Sequence, residues 1–167
     1  MQERIFSKMM LIGVLADTHI PKRARDLPPK AYQHLAGVDA IIHAGDVLTR
    51  DFLARLGEIA PVYAVLGNND RELTLPPRLE LSWEGAAIAV VHDSGPRLGR
   101  PARLRRWFPN ARAVVFGHSH IPMNEWDDGL LLFNPGSATD RRRQPRHTMG
   151  LIRLEVGSIE AEIVPLD

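Results

Sequence analysis

Short apolar runs alternate with amphipathic stretches through the first half of the chain. The apolar runs have the length of buried strands and comprise residues 10–16, 40–44 and 62–66. The stretches between them, residues 28–36 and 49–58, carry apolar positions at helical spacing, and Thr49 is in place to cap the second helix. The alternation predicts βαβ units.

The second half of the chain changes character, because apolar runs follow one another with only short turns between them. Strands are predicted at residues 79–83, 86–91, 113–116, 130–133, 149–156 and 159–164. The dipeptides at 84–85 and 157–158 are typical of hairpin turns. A basic helix is predicted around Pro101, with Leu104 and Trp107 on its apolar face and its arginines on a solvated face. The whole pattern predicts an α/β fold with a mixed sheet or sheets.

Length and composition are those of a globular protein. The 167 residues suit one domain, 1–167, in which the polar residues 1–8 are expected to form a mobile extension. Hydrophobic residues make up 44% of the chain and charged residues 25%, so a sizeable core is expected. The apolar run at 10–16 is far shorter than the roughly 20 residues that span a bilayer. No signal-peptide cleavage pattern follows it, and we therefore expect a cytoplasmic protein.

The charge balance and the lack of cysteine exclude several kinds of site. Lys and Arg number 21 and Asp and Glu 20, so the net charge is +1. This balance gives no broad attraction for a nucleic-acid polymer or a membrane. Because the chain has no cysteine, disulfides, thiolate zinc sites and cysteine nucleophiles are excluded. Metal ligands must come from His, Asp, Glu or Asn.

Potential metal ligands stand directly after five of the predicted strands. They are Asp17 and His19, then Asp46, then Asn68, then His92, then His118 and His120. In open α/β sheets the binding site forms beyond the carboxyl ends of the strands, so these side chains are expected to converge in space.

The donor set mixes imidazole nitrogens with carboxylate and amide oxygens, which favours Mn, Fe, Zn, Co or Ni over Ca or Mg. One metal ion would leave ligands unused. Seven side chains that share one bridging carboxylate supply four contacts to each of two ions, as in the dinuclear sites that clamp an in-line phosphoryl displacement.

Five ordered blocks resemble the signature of the calcineurin-like metallophosphoesterase superfamily: Asp17-Thr18-His19, Gly45-Asp46, Gly67-Asn68-Asn69-Asp70, His92 and Gly117-His118-Ser119-His120. The string Asn134-Pro135-Gly136-Ser137 resembles the motif after the site in the small bacterial phosphodiesterase (YfcE-like) branch. This resemblance implies a four-layer αββα sandwich of two mixed β-sheets flanked by helices, the metallo-dependent phosphatase fold.

The resemblance also implies two divalent metal ions, with Mn expected first and Ni, Co, Fe or Zn as alternatives. By motif position, one ion would be held by Asp17, His19 and His120, the other by Asn68, His92 and His118, with Asp46 as the bridge. The implied activity is hydrolysis of small phosphodiesters by a hydroxide that bridges the two ions and attacks in line.

The catalytic candidates are Asp46, Asn68, Asn69 and Asp70. Asn69 stands where many family members carry a histidine that helps protonate the leaving group. An amide cannot act as that acid, so we expect a preference for diesters or activated leaving groups. Asp70 and His43 are interpreted as groups that orient Asp46 and the Asn68 loop, and a buried structural role for His43 is an equal alternative.

Other functions stay open at this point. A non-catalytic metal-binding scaffold related to the retromer subunit of the superfamily is the main alternative, although a complete ligand set favours catalysis. A nuclease for polymeric substrates is not supported by the charge balance. The arginines of residues 141–146 are interpreted as a solvated loop, with contact to substrate phosphate as the alternative. The resemblance implies a homo-oligomer, dimer or tetramer, and Trp83, Trp126 or residues 130–132 could supply apolar contacts.

Overall fold

The computed structural model describes residues 8–167, which form ten strands and three helices. The predicted extension at residues 1–8 lies, apart from Lys8, outside the described residues. The strands are β1 (Met10–Leu15), β2 (Ala40–His43), β3 (Val62–Ala64), β4 (Arg78–Trp83), β5 (Ala86–Val91), β6 (Ala113–Val115), β7 (Met123–Asp127), β8 (Leu130–Asn134), β9 (Thr148–Glu155) and β10 (Ser158–Pro165). The helices are α1 (Pro29–Leu35), α2 (Arg50–Gly57) and α3 (Arg100–Trp107).

The strands form two mixed sheets of five strands each. The first sheet has the order β10-β9-β1-β2-β3, in which β1, β2 and β3 are parallel. The second has the order β4-β5-β6-β8-β7, in which β5, β6 and β8 are parallel and the two edge strands are antiparallel. Leu15 pairs with His43 and His43 with Ala64, so the carboxyl ends of β1, β2 and β3 lie side by side.

Alternation along the central strands sends side chains to both faces of each sheet. In β1, Ile12 and Val14 pack between the sheets together with Ile88 and Val90 of β5. Leu15 points the other way, into the cluster that α1 and α2 cover. The alternate residues of β5 pack with α3 on the outer face of the second sheet. The layers therefore run helices, sheet, sheet, helix, which confirms the predicted αββα sandwich.

The helices begin where the sequence predicts. Thr49 Oγ1 accepts a hydrogen bond of 3.3 Å from the Phe52 N–H, which caps α2. Phe52 and Leu56 are fully buried on the face of α2 that packs on the first sheet. Gly37, just beyond α1, has φ +83°, the left-handed conformation that commonly ends a helix.

The arginines of α3 are not only a solvated face, contrary to the expectation from sequence. Arg103 donates hydrogen bonds to the carbonyls of Ser94, Pro96 and Leu98, in the loop that follows β5. Arg105 pairs with the Asp127 carboxylate at 2.6 Å. Their guanidinium groups offer several donors in a fixed plane, which suits them to collect loop carbonyls.

Strand β7 was not predicted, and residues 130–132 do not supply an apolar contact surface. Three consecutive residues of β7, Asn124, Glu125 and Trp126, are exposed, as an edge strand allows, so no apolar run marks the strand. The turn Asp128-Gly129, with positive φ at both residues, is the one sequence signal of the β7–β8 hairpin. Residues 130–132 are buried in β8, whereas the Trp126 side chain is 50% exposed.

None of the helices in residues 8–167 is long and apolar enough to cross a membrane.

Candidate functional site

The loops that leave β1, β2, β3, β5 and β6 meet at one end of the two sheets. Asp17 N–H donates to the Gly45 carbonyl at 3.0 Å, and Gly117 N–H donates to the His92 carbonyl at 3.0 Å. The two sheets are joined at this point, because the His118 N–H donates to Asp17 Oδ2 at 2.9 Å. All seven residues predicted as metal ligands lie in these loops.

The first group of ligand candidates is deeply buried and contains Asp17, His19, Asp46 and His120. His19 Nε2 lies 3.3 Å from Asp46 Oδ2, and His120 Nε2 lies 3.6 Å from Asp17 Oδ1. Within residues 8–167, Asp17 Oδ1, His19 Nε2 and His120 Nε2 are buried atoms without a hydrogen-bond partner. A buried polar atom without a partner costs free energy. A divalent ion bound by these three atoms would satisfy all of them.

The second group is centred on Asn68 Oδ1. This oxygen lies 2.9 Å from His92 Nε2 and 3.2 Å from His118 Nδ1. His92 Nε2 lies 3.5 Å from Asp46 Oδ2, so the Asp46 carboxylate is shared by both groups. Asn68 and His118 are exposed, which opens this second group to solvent.

Two of the four imidazoles in the two groups are oriented by backbone carbonyls. His92 Nδ1 contacts the Ala44 carbonyl at 2.7 Å, and His120 Nδ1 contacts the Asp140 carbonyl at 2.5 Å. A carbonyl only accepts, so each Nδ1 carries the proton and each Nε2 presents its lone pair to the centre. Asp93 does not hold His118 in this way, because its Oδ2 lies 3.9 Å from His118 Nε2, beyond hydrogen-bond distance.

The two carboxylates differ in their electrostatic surroundings. Burial raises the pKa of Asp17 to about 7, in spite of the nearby imidazoles. Burial acts in the same direction on Asp46, but contacts with His19 and His92 and two hydrogen bonds from Asn69 outweigh it and hold the pKa of Asp46 well below its usual range. Two buried carboxylates side by side are both ionised only with cationic charge between them, and without it one of them takes up a proton. The donor set therefore fits divalent ions.

Backbone strain is concentrated in the predicted ligands. Five of the seven have a left-handed backbone conformation: Asp17 (φ 53°), His19 (45°), Asp46 (59°), His118 (71°) and His120 (61°). Non-glycine residues adopt this region at a cost, and such outliers cluster at functional sites. The fold thus holds these five side chains in directions that a relaxed backbone would not give.

Two glycines let the loops approach each other. A Cβ on Gly67 would lie 2.2 Å from both the backbone N and Oδ1 of Asp46. A Cβ on Gly117 would lie 2.8 Å from Asp17 Oδ2. Any side chain at Gly67 would displace Asp46, which explains why glycine precedes Asn68.

Asp70 ties two of the loops together. Its Oδ2 accepts from the N–H groups of Asp46 and Gly67 at 2.9 and 2.8 Å, and its Oδ1 accepts from the Leu48 N–H at 2.8 Å. The side chain is buried. These bonds join the turn after β2 to the turn after β3. The predicted role of Asp70 in orienting Asp46 and the Asn68 loop stays a prediction.

His43 lies behind the centre rather than in it. Its Nδ1 accepts from the Gly45 N–H at 3.2 Å, and its Nε2 contacts Thr18 Oγ1 at 2.9 Å. Burial lowers the pKa of His43 to about 3. Both ring nitrogens are satisfied in the neutral form, so His43 supports the Asp17 and Asp46 loops as a neutral hydrogen-bonding residue.

The string at residues 134–137 closes the site from the other side. Asn134 Nδ2 donates to the Gly117 carbonyl at 3.2 Å, and Ser137 Oγ donates to the Asp17 carbonyl at 2.8 Å. Both side chains are buried. They connect the loop after β8 to the loops after β6 and β1.

A cleft of about 580 Å³ opens beside the two groups of ligand candidates. His19 and Asn69 line the cleft, and both also contact Asp46. Cationic side chains dominate its charged lining, which consists of Lys22, Arg23, Arg71, Arg142, Glu72 and Asp140. Arg142, which belongs to the loop interpreted as solvated, is exposed and lines this cleft. The sequence analysis missed Lys22 and Arg71, although each follows a predicted ligand within three residues.

Comparisons with known proteins found relatives of this chain and solved structures with a similar fold. The family model for the calcineurin-like phosphoesterase superfamily domain matches residues 10–157. A protein of Methanothermobacter thermautotrophicus, named a probable metallophosphoesterase, is 35% identical over 159 residues, which cover 93% of this chain and 92% of that protein. Vacuolar protein sorting 29 (Vps29) of Cryptosporidium parvum has a similar structure, with a TM-score of 0.81 and 20% identity over 93% of this chain and 97% of that chain. Vps29 of Entamoeba histolytica in complex with Zn²⁺ gives a TM-score of 0.75 and 21% identity over 95% of this chain and 100% of that chain.

Proposed function

Because the chain belongs to the calcineurin-like phosphoesterase superfamily, we propose that it is a metal-dependent phosphodiesterase that acts on small phosphodiesters. The observation that carries the proposal is the convergence of seven metal-donor side chains in loops from both sheets. Three of their buried donor atoms lack a hydrogen-bond partner within residues 8–167. Such a site is built for cations rather than for its own internal pairing.

The proposed ligands divide between two divalent ions that share Asp46. One ion would be held by Asp17, His19, Asp46 and His120, and the other by Asp46, Asn68, His92 and His118. When bound, the ions supply Lewis-acid stabilisation of phosphoryl charge and activation of water. Mn is our first choice, and Ni, Co, Fe and Zn suit the same donors. The zinc complex of the Entamoeba protein supports the last of these.

The chain's own residues prepare this centre in three ways. Asn69 and Asp70 fix the Asp46 carboxylate and its loop through hydrogen bonds. The backbone carbonyls of Ala44 and Asp140 hold the imidazole lone pairs of His92 and His120 toward the centre. The exposure of Asn68 and His118 leaves one side open for a phosphoester.

Asn69 also determines which esters should react. Its side-chain amide lies at the edge of the centre and donates to Asp46 Oδ2. An amide has no acidic proton that it could give to a leaving group. A departing alkoxide would leave unprotonated and slowly, whereas an aryl oxide leaves well without an acid. We therefore propose that diesters with good leaving groups are the preferred substrates.

The test is hydrolysis of bis(4-nitrophenyl) phosphate and 4-nitrophenyl phosphate by metal-stripped full-length protein that is resupplied with Mn, Ni, Co, Zn or Mg. We expect metal-dependent cleavage that is faster for the diester, and loss of at least about 100-fold in Asp46→Asn. Asp51→Asn, an exposed carboxylate on α2, serves as the matched control. Folded protein that is inactive with every metal would refute the proposal.

A non-catalytic metal-binding scaffold is the second candidate function. The similarity in structure to Vps29 of Cryptosporidium parvum, with a TM-score of 0.81, favours it. The two functions differ in what bound metal does. A scaffold would bind the ions, keep its fold and hydrolyse none of the esters, whereas the hydrolase would show turnover that Asp46→Asn abolishes.

A further inference from the structure

We infer that the cationic cleft beside the metal centre binds a second phosphate of the substrate, so that the substrate is a small phosphoester with an additional phosphate group. The inference rests on the proposed function, which places the scissile phosphate at the metal centre. It concerns cleft residues that are not among the proposed metal ligands, notably Lys22, Arg71 and Arg142.

The charges of the cleft are not balanced within the protein. Four cationic side chains face two carboxylates in its lining. Arg23 is partly compensated, since its Nε lies 3.7 Å from Asp140 Oδ2. Lys22, Arg71 and Arg142 form no ion pair with any carboxylate in residues 8–167. Uncompensated cations around one concave surface attract an anion, and guanidinium groups match the geometry of phosphate.

The position of the cleft connects it to the reacting phosphate. His19, a proposed ligand, and Asn69, which contacts Asp46, both line it. Arg142 is close to the centre along the chain, because the carbonyl of Asp140, two residues earlier, accepts the hydrogen bond from His120 Nδ1. One molecule can therefore present one phosphate to the metal centre and another to the cleft.

The size and the chemistry of the cleft narrow the ligand further. A volume of about 580 Å³ is in the range of small-molecule sites and too small for a folded partner. Apart from the His19 imidazole, the lining contains no aromatic ring on which a base could stack. Recognition should therefore depend on charge rather than on the identity of a base.

The first test is kinetic and uses metal-loaded full-length protein with two matched substrates. Thymidine 5′-(4-nitrophenyl phosphate) and its 3′-phosphorylated analogue share the same leaving group and differ by one phosphate. We expect KM to be roughly tenfold lower for the phosphorylated substrate, as for one charge-assisted contact. Arg71→Gln and Arg142→Gln should each remove most of this preference. Arg143→Gln, on the same loop but outside the cleft lining, should keep it.

The second test measures binding without turnover and separates this inference from the proposed function. Isothermal titration compares thymidine 3′,5′-bisphosphate with thymidine 5′-monophosphate on the same metal-loaded variants. If neither 4-nitrophenyl ester of the first test is hydrolysed, the proposed function fails. A preference for the bisphosphate that Arg71→Gln removes would still support phosphate binding in the cleft. Equal affinities, absence of binding, or a preference that survives both substitutions would overturn it, whether or not the protein is a hydrolase.

Discussion

Asn69 donates two hydrogen bonds to Asp46, one from its backbone N–H to Oδ1 and one from its side-chain Nδ2 to Oδ2, each 2.9 Å long. Both oxygens of the carboxylate shared by the two ligand groups are thus held by one residue. The resemblance to the superfamily implies a histidine at this position. This chain has an amide there instead, which supplies a second fixed contact to Asp46 and no acidic proton.

Replacing Asn69 should separate these two roles. Asn69→Ala loses the bond to Asp46 Oδ2 and should lower kcat/KM for the aryl diester by roughly fivefold to tenfold, the effect of one hydrogen bond to a charged group. Asn69→His should raise turnover of alkyl monophosphates relative to aryl diesters, because an imidazole can protonate the leaving group. Steady-state kinetics with both ester classes measure the ratio.

The matched control is Asn124→Ala, which removes an exposed amide that donates to the Ala161 carbonyl on the edge of the sandwich. It should leave both rates unchanged. Alkyl monophosphates cleaved by the wild-type protein as fast as aryl diesters would contradict the role assigned to Asn69.

Two glycine substitutions should have opposite consequences. A Cβ at Gly67 would lie 2.2 Å from Asp46, so Gly67→Ala must shift the loop, and we expect the free energy of unfolding to fall by about 2–3 kcal/mol. Gly57, the last residue of α2, has open space around it and no positive φ. Gly57→Ala should be neutral or stabilise by up to about 1 kcal/mol. Urea unfolding and metal titration of both variants test this, and a Gly67→Ala protein with unchanged stability and metal affinity would refute the close-approach argument.

Most of the fold could be predicted because apolar runs mark the strands that are buried on both faces. The predicted boundaries of β5 and the turn after β4 agree with the structure, since Glu84 and Gly85 have the positive φ values of a tight hairpin. Strand β7 was not predicted because it lies at a sheet edge, where its three central residues are exposed and nothing requires an apolar run. Its boundaries depend on pairing with β8, which is tertiary information.

The gathering of the seven ligand candidates was predictable, whereas the cleft was not. The candidates stand directly after strands, and parallel strands bring their carboxyl ends to the same edge. Lys22, Arg71 and Arg142 come from three loops with no shared motif, so only the folded chain shows that they line one surface. The assignment of the seven residues as metal ligands stays a prediction that metal analysis must test.

Substitution of Asp70 should reduce metal affinity as substitution of a proposed ligand would, although Asp70 holds no metal in the proposed scheme. Its two oxygens accept three backbone N–H groups, and Asp70→Asn replaces one oxygen by a donor that faces an N–H. We expect a loss of about 2–3 kcal/mol in the free energy of unfolding and a 10- to 100-fold weaker metal affinity.

Chemical unfolding and titration with Mn²⁺ provide the two measurements for Asp70→Asn. Asp128→Asn is the matched control, because Asp128 lies in the exposed turn before β8 and its positive φ suits asparagine. Equal metal affinity in both variants would show that Asp70 does not position Asp46.

The contact between Tyr32 and Asp26, far from the metal centre, should give the protein a pH-dependent increment of stability. Burial and the hydrogen bond to the Asp26 carboxylate raise the pKa of Tyr32 to about 12. Burial opposes ionisation of Asp26, but hydrogen bonds from Tyr32 and the Leu27 N–H and the charge of Arg55 outweigh it, so the pKa of Asp26 is lowered. Each shift favours the protonation state that makes the contact.

The signs follow from linkage between protonation and folding. A tyrosine whose pKa is raised on folding stabilises the protein fully below about pH 10 and loses that contribution as the pH rises through 12. An aspartate whose pKa is lowered on folding contributes above the pKa of the unfolded chain, about 3.8, and loses the contribution as the pH falls further. The Tyr32–Asp26 contact should therefore be fully effective between about pH 4 and pH 10.

Urea unfolding of the wild-type protein and Tyr32→Phe from pH 7 to pH 11.5 tests this window. The pair is largely exposed, so we expect a difference of only about 0.5–1 kcal/mol at pH 7, shrinking above pH 10. In an Asp26→Asn background the same substitution should have a smaller effect that declines less above pH 10, because the charged acceptor is gone and only burial still raises the pKa of Tyr32. A difference that is constant to pH 11.5, or equal in both backgrounds, would mean that the hydroxyl stabilises the fold through some contact other than Asp26.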